Sequence, residues 1–165
     1  MNTLESEYAK LHFAKFGFRE CDEYLDVYEN NANRLVGSDH AFQTAISKSF
    51  VITYSRPFTN NRNIGRLSER WTRSLSEELR KLHSDLIGIG RNVLVAHMDI
   101  NELRAVIILE KEQQDSFIFT WPIPIINENT IPRLRELMRA ARKYCDHRQQ
   151  ALRPQLQVQE IHVGS

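Results

Sequence analysis

The strongest structural signal in the chain is a set of apolar residues, spaced alternately four and three apart, between positions 75 and 96. Residues three and four apart share one face of an α-helix, so this spacing places every member of the set on the same side. The pattern predicts a long helix that buries this face in a core. The members of the set are Leu75, Leu79, Leu82, Leu86, Ile89, Val93 and Ala96.

Three further helices are predicted from apolar periodicity and from residues that end helices. About the first 35 residues form one of them, which Gly37 ends. The next runs to about Tyr54, because the residue before Pro57 is disfavoured in the helical region. The last begins near Thr130, with Pro132 in its first turn. The apolar contacts of the first helix are expected from Leu11, Phe13, Phe16, Cys21, Tyr24, Leu25 and Tyr28.

Two segments between the third and the last of these helices have β character. Residues 104–110 and 116–121 are rich in β-branched and aromatic side chains, and a polar stretch at 111–115 separates them. They predict a small β-hairpin near residues 104–121. The expected fold class is therefore mainly α, a bundle of about four helices with a small β-hairpin.

Length and composition predict one domain. The chain has 165 residues, of which 41% are hydrophobic, enough for a single core. We expect a single helical domain over residues 1–154 and a flexible tail over 155–165. The sequence has no apolar run of about 18 residues and no basic-then-apolar leader, which favours a cytoplasmic protein without membrane contact.

The cysteines and histidines lack the spacing of a metal site. Cys21 and Cys145 are far apart in the sequence and have no C-x-x-C companion. The six histidines are scattered. We therefore expect no metal and no cofactor, and two reduced, half-buried thiols.

Charge is balanced overall but unevenly distributed. The formal net charge is +1, yet residues 1–39 hold eight acidic and four basic side chains, whereas residues 131–154 hold seven basic and two acidic ones. Two interpretations are open: a track for nucleic-acid phosphates, or pairing with the acidic first helix, which the complementary charges favour. The basic residues are Arg133, Arg135, Arg139, Arg142, Lys143, Arg148 and Arg153.

The end of the helix predicted over 75–96 contains the run Arg91-Asn92-Val93-Leu94-Val95-Ala96-His97. This run combines a cation, an amide and a titratable imidazole. Arg91 and His97 would lie roughly 9 Å apart along a helix and about 120° apart around it, so their side chains would not face each other. They could converge through the length of the Arg side chain, through fraying of the helix end, or across a two-fold axis between two copies, and we favour the two-fold arrangement. Ile87, Leu94 and Val95 share the outer side with Arg91, which predicts that this side meets another surface.

This run, R-N-x-x-x-A-H, resembles the R-x(4-6)-H signature of the HEPN superfamily. The segments Tyr54-Ser55-Arg56-Pro57-Phe58 and Ala96-His97-Met98-Asp99 are similar to its abortive-infection-type branch. The resemblance extends over about residues 40–100. It implies an all-α bundle, a homodimer that brings two motifs together, and often metal-independent cleavage of RNA in a toxin–antitoxin or phage-defence setting. Gly88 and Gly90, just before the motif, depart from the larger helix-forming residues expected there, and they indicate a close helix approach or a kink.

The residue types suit that chemistry. His97 would move a proton, because the unperturbed pKa of an imidazole lies near neutral pH. Arg91 would hold the phosphate through its planar, permanently charged guanidinium. Asn92 would bond the phosphate or orient His97, and Asp99 would orient the imidazole or cap a turn. The same residues are also compatible with a surface cation and a structural polar group.

RNA contacts are further predicted for the loop after the second helix. Residues 59–66 are polar and turn-rich and include Arg62 and Arg66, and Arg56 lies just before them. Such a loop can also be a simple connector. The alternative for the whole protein is a non-catalytic HEPN-like binding or scaffolding module, paired with an antitoxin or a nucleotidyltransferase. A nucleotide-binding regulator ranks last, because the chain has no G-x-x-x-x-G-K-[ST] loop.

Overall fold

The computed structural model describes residues 3–31, 40–59, 65–95, 104–108, 116–120 and 126–156, with side chains in these ranges except at 40–41, 91–95 and the two strands. These ranges contain four α-helices and three short 3-10 turns, so the expectation of a mainly α protein is confirmed. The helices are α1 (Thr3–Asn31), α2 (His40–Ser55), α3 (Glu77–Val95) and α4 (Ile131–Leu152). The 3-10 turns are Arg56–Phe58, Glu69–Ser74 and Arg153–Gln155.

Between α3 and α4 the structure has two short strands, β1 (Arg104–Ile108) and β2 (Ser116–Thr120). They pair antiparallel, with Val106 opposite Ile118. Of the predicted tail, Gln155 belongs to the last 3-10 turn, and residues beyond 156 lie outside the described part of the chain.

The helices form a bundle in which α1 packs against α2 and α4, and α2 packs against α3. The start of α4 agrees with the prediction near Thr130. There the Asn127 side-chain oxygen accepts the backbone N–H groups of Asn129 and Thr130, at 3.0 and 3.1 Å. Pro132 follows in the first turn, where its missing N–H costs no hydrogen bond.

The buried face of α1 differs in part from the prediction. Phe13 and Phe16, expected to be core contacts, are 49% and 66% exposed. Core positions on α1 instead follow Leu11, Phe18 and Leu25, which are completely buried. Phe13 lies two residues after Leu11, which places it about 200° around the helix from that face. The prediction was wrong because an aromatic residue near a stripe is not thereby part of it.

The buried face of α3 is turned relative to the predicted stripe. Leu79 and Leu86 are in the core as expected, but Ile87, predicted on the outer side beside Arg91, is only 5% exposed. His83 and Gly90 are buried on the same side. Ile87 therefore packs within the chain, and it gives no support for a second apolar surface around Arg91.

Opposite charges connect α1 and α4, as the complementary composition favours. Arg135 reaches the carboxylates of Asp26, at 2.6 Å, and Glu29. Arg142 pairs with Asp22 at 2.8 Å, and Arg148 pairs with Glu7 at 2.8 Å. These pairs bear out the intramolecular interpretation of the basic helix for the arginines concerned. Arg133 differs, because its partner at 2.7 Å is Glu78 of α3.

Both cysteines are free and completely buried rather than half-buried. Burial raises the pKa of Cys145 to about 12 and the pKa of Cys21 well above its ordinary range. Both thiols are therefore uncharged at neutral pH and serve as small core side chains. Among the described helices, none combines the length and the apolar character needed to span a membrane.

Candidate functional site

The predicted catalytic motif begins in the last turns of α3. Arg91 and Asn92 belong to this helix, which the structure describes as far as Val95. His97 and Asp99 lie outside the described residues, as does Arg62 of the predicted RNA-contacting loop. The structure therefore shows the surroundings of the motif only at its start, where other elements pack against the end of α3.

A close contact between α2 and α3 lies immediately before Arg91. Ser55 is completely buried, and Gly90 packs directly against it. A Cβ atom at position 90 would overlap both Oγ and Cβ of Ser55 and would lie 3.3 Å from the Val51 carbonyl oxygen. At Gly88, by contrast, a Cβ atom would meet nothing within 4 Å. Of the two unexpected glycines, Gly90 is thus explained by a close helix approach, and nothing in the structure explains Gly88.

Two predicted site residues are chain neighbours of this contact. Arg56 follows Ser55 and Arg91 follows Gly90, so the main chains of both arginines lie beside one helix crossing. Arg56 is exposed at the start of the 3-10 turn. Its carbonyl oxygen accepts the Thr59 N–H at 3.2 Å and the Thr59 hydroxyl at 2.8 Å, which fixes the local backbone.

Next to Ser55 in the chain, Tyr54 belongs to a buried polar network that the sequence did not predict. Its hydroxyl lies 2.6 Å from Nδ1 of His83, and both side chains are inside the core. The other ring nitrogen, Nε2, lies 3.7 Å from a carboxylate oxygen of Glu69, too far for a direct hydrogen bond. Because that carboxylate favours a hydrogen on Nε2, we assign Nδ1 as the acceptor of the Tyr54 hydroxyl.

Aromatic rings surround the imidazole of His83. Phe58 and Trp71 lie at ring-centroid distances of 4.9 and 5.3 Å, nearly perpendicular to it. In this setting burial lowers the pKa of His83, and the negative charge of Glu69 opposes that effect by raising it. Burial likewise raises the pKa of Tyr54 well above its ordinary range, which keeps its hydroxyl protonated. The hydrogen bond between Tyr54 and His83 therefore joins two uncharged side chains and holds the end of α2 against α3.

We expect this network to make stability depend on pH. Since the pKa of His83 is held below 6.5 in the folded protein, the unfolded chain binds the proton more tightly, and stability is lost as pH falls below that value. Urea unfolding at about pH 7.5 and about pH 5 should show this loss in the wild type and much less of it in His83→Gln, which does not titrate. The exposed His12 gives the matched control His12→Gln. Equal losses in wild type and His83→Gln would contradict the assignment.

Arg66, the remaining predicted RNA contact, lines a groove of about 430 Å³ between α1, the segment before the second 3-10 turn, and α4. We call it the Lys10–Arg66 groove. Its floor is formed by the buried Leu11 and Leu67, and Glu7 and Tyr144 stand on its walls. The groove thus combines apolar floor, hydroxyl groups and charge.

Two features escaped the sequence-based prediction for different reasons: the buried His83, and the groove that Lys10 shares with Arg66. His83 lies four residues after Leu79 and three before Leu86, so the stripe itself placed an imidazole on the core side. That signal was available. Lys10 and Arg66 are 56 positions apart (66 − 10), and nothing in the sequence indicates that they share a groove.

Comparison of the chain with models of protein families, with curated proteins and with solved structures gave no match.

Proposed function

We propose that this protein is a metal-independent endoribonuclease of toxin or phage-defence type, which cleaves RNA through the substrate's own 2′-hydroxyl. The observation that carries the proposal is the Ser55–Gly90 contact between α2 and α3. Arg56 follows Ser55 and Arg91 follows Gly90, so each of the two segments that resemble the HEPN superfamily has a residue next to this contact, although they are 35 positions apart in the sequence (91 − 56).

The chemistry assigned to the motif needs no metal ion. The 2′-hydroxyl attacks the neighbouring phosphorus, the bond to the 5′-oxygen breaks, and a 2′,3′-cyclic phosphate remains. His97 would transfer the proton, and Arg91 would stabilise the negative charge that develops on the phosphorane. Asn92 would orient one of these groups. Arg56, which is exposed and follows Ser55 of the helix contact, would bind a neighbouring phosphate.

The proposed site is shared between two subunits. Within one straight helix Arg91 and His97 point about 120° apart, so a second copy of the motif supplies the missing partner. Support for the dimer comes from this spacing and from the family resemblance. Ile87 gives no support for it, because Ile87 belongs to the chain's own core.

The direct test incubates the purified protein with RNA in the presence of excess EDTA and analyses the ends of the products. Cleavage that persists in EDTA and leaves 2′,3′-cyclic phosphates is the expected result. The variants Arg91→Ala and His97→Ala should each lose at least about 10²-fold in rate. Arg80→Ala, at an exposed position of α3 away from the motif, is the matched control. Inhibition by EDTA, or equal cleavage by wild type and both motif variants, would contradict the proposed mechanism.

A further inference from the structure

The Lys10–Arg66 groove has an unequal charge on its walls. Lys10 and Arg66 both line it, and neither forms an ion pair with any residue that the structure describes. Glu7 also lines the groove, but its carboxylate is neutralised by Arg148 at 2.8 Å. The groove therefore presents two uncompensated positive charges and no uncompensated carboxylate among its described lining residues.

The wall that carries Arg66 is held in place although it is neither helix nor strand. Gly65 has a φ of 75°, a backbone conformation that residues with side chains rarely adopt. A Cβ atom there would lie 3.1 Å from Nζ of Lys10, so the backbone passes close to the amine. The next residue but one, Leu67, donates its N–H to the Pro57 carbonyl at 2.6 Å. The backbone that carries Arg66 is thus held close to Lys10 of α1, so binding of an anion requires less ordering of the backbone.

The groove is also lined by an aromatic side chain. Tyr144 of α4 stacks on Trp71 with ring centroids 6.2 Å apart and an angle of 25° between the rings. Together with the apolar floor of Leu11 and Leu67, this wall offers a surface for the uncharged part of a ligand. A volume of about 430 Å³ suits a small molecule rather than a protein segment.

We propose that the Lys10–Arg66 groove binds a phosphate monoester, with Lys10 and Arg66 as the anion contacts and the Tyr144 wall beside the organic group. A terminal phosphate carries about −1.5 to −2 charges at neutral pH, which matches two free cations better than the single charge of a phosphodiester. Among the described residues that line the groove, none belongs to the Arg91–His97 run. The anion contacts assigned to the groove are therefore other residues than the catalytic ones proposed above.

Isothermal titration calorimetry with the intact protein tests this site, and cleavage activity is not the readout. The titrants are inorganic phosphate, a sugar phosphate, a 5′-mononucleotide, the matching nucleoside, and a short RNA with either a 5′-phosphate or a 5′-hydroxyl; for the RNA the protein carries His97→Ala. We expect at least one phosphate monoester to bind, and to bind about tenfold or more tightly than its partner without the phosphate. The ligand that binds best identifies the source of the phosphate.

Lys10→Gln and Arg66→Gln should each weaken that binding about tenfold, and Arg80→Gln, outside the groove, should leave it unchanged. Circular dichroism establishes that the variants are folded. The proposal is overturned if none of the monoesters binds, if nucleoside and nucleotide bind equally, or if the folded double variant Lys10→Gln/Arg66→Gln binds as well as the wild type.

Discussion

A mixture of the Arg91→Ala and His97→Ala proteins, each inactive by itself, is expected to regain about a quarter of the wild-type rate of RNA cleavage. If the two subunits of a dimer exchange freely, about half of the dimers contain one copy of each variant. Such a dimer has one site with both Arg91 and His97 intact and one site with neither. Half of the dimers with one active site out of two give the expected quarter.

This experiment separates a shared site from a site within one chain. In a site built from one chain, no dimer in the mixture has an intact Arg91 beside an intact His97, and the mixture stays inactive. The control mixes Arg91→Ala with the double variant Arg91→Ala/His97→Ala, which supplies no Arg91 at all. Native mass spectrometry establishes that mixed dimers form. Inactive mixtures in which mixed dimers are abundant would contradict the shared site.

The second large effect is expected on stability, at the contact between α2 and α3. Gly90→Ala should lower the free energy of unfolding by about 1–3 kcal/mol, because the added methyl group overlaps buried atoms of Ser55 and has no space to move into. This loss opposes the intrinsic preference of alanine for a helix, which by itself would add about 1 kcal/mol. Urea unfolding of wild type and variant measures the difference.

The neighbouring glycine provides the matched control. Gly88→Ala introduces the same methyl group in the same helix, two residues away, where nothing lies within 4 Å. It should therefore stabilise the protein by up to about 1 kcal/mol. Ser55→Gly removes the side chain that the new methyl group would overlap. Gly90→Ala should therefore cost less free energy of unfolding in the Ser55→Gly protein than in the wild type. Equal effects of the two glycine substitutions would show that the helices are not in close contact at position 90.

The candidate site was predictable from the sequence only in part. The motif from Arg91 to His97 and the Tyr54–Phe58 segment are local patterns, visible because their residues are neighbours in the chain. The contact between Ser55 and Gly90 was not predictable, because a glycine allows another helix to pack closely but does not indicate which residue packs there. The Lys10–Arg66 groove was hidden for the same reason, since its two cations come from α1 and from the segment before the second 3-10 turn.

Local periodicity and end signals in the sequence alone determined that this chain is mainly helical and where α4 begins. Composition favoured pairing between the acidic residues 1–39 and the basic residues 131–154, which the ion pairs of α1 with α4 bear out. Only the tertiary structure decided which side of each helix is buried: Phe18 rather than Phe16 on α1, and Ile87 as well as Leu86 on α3. The physical reason is that a repeat of 3.6 residues defines a stripe along a helix, whereas the direction in which the stripe points depends on the neighbouring helices.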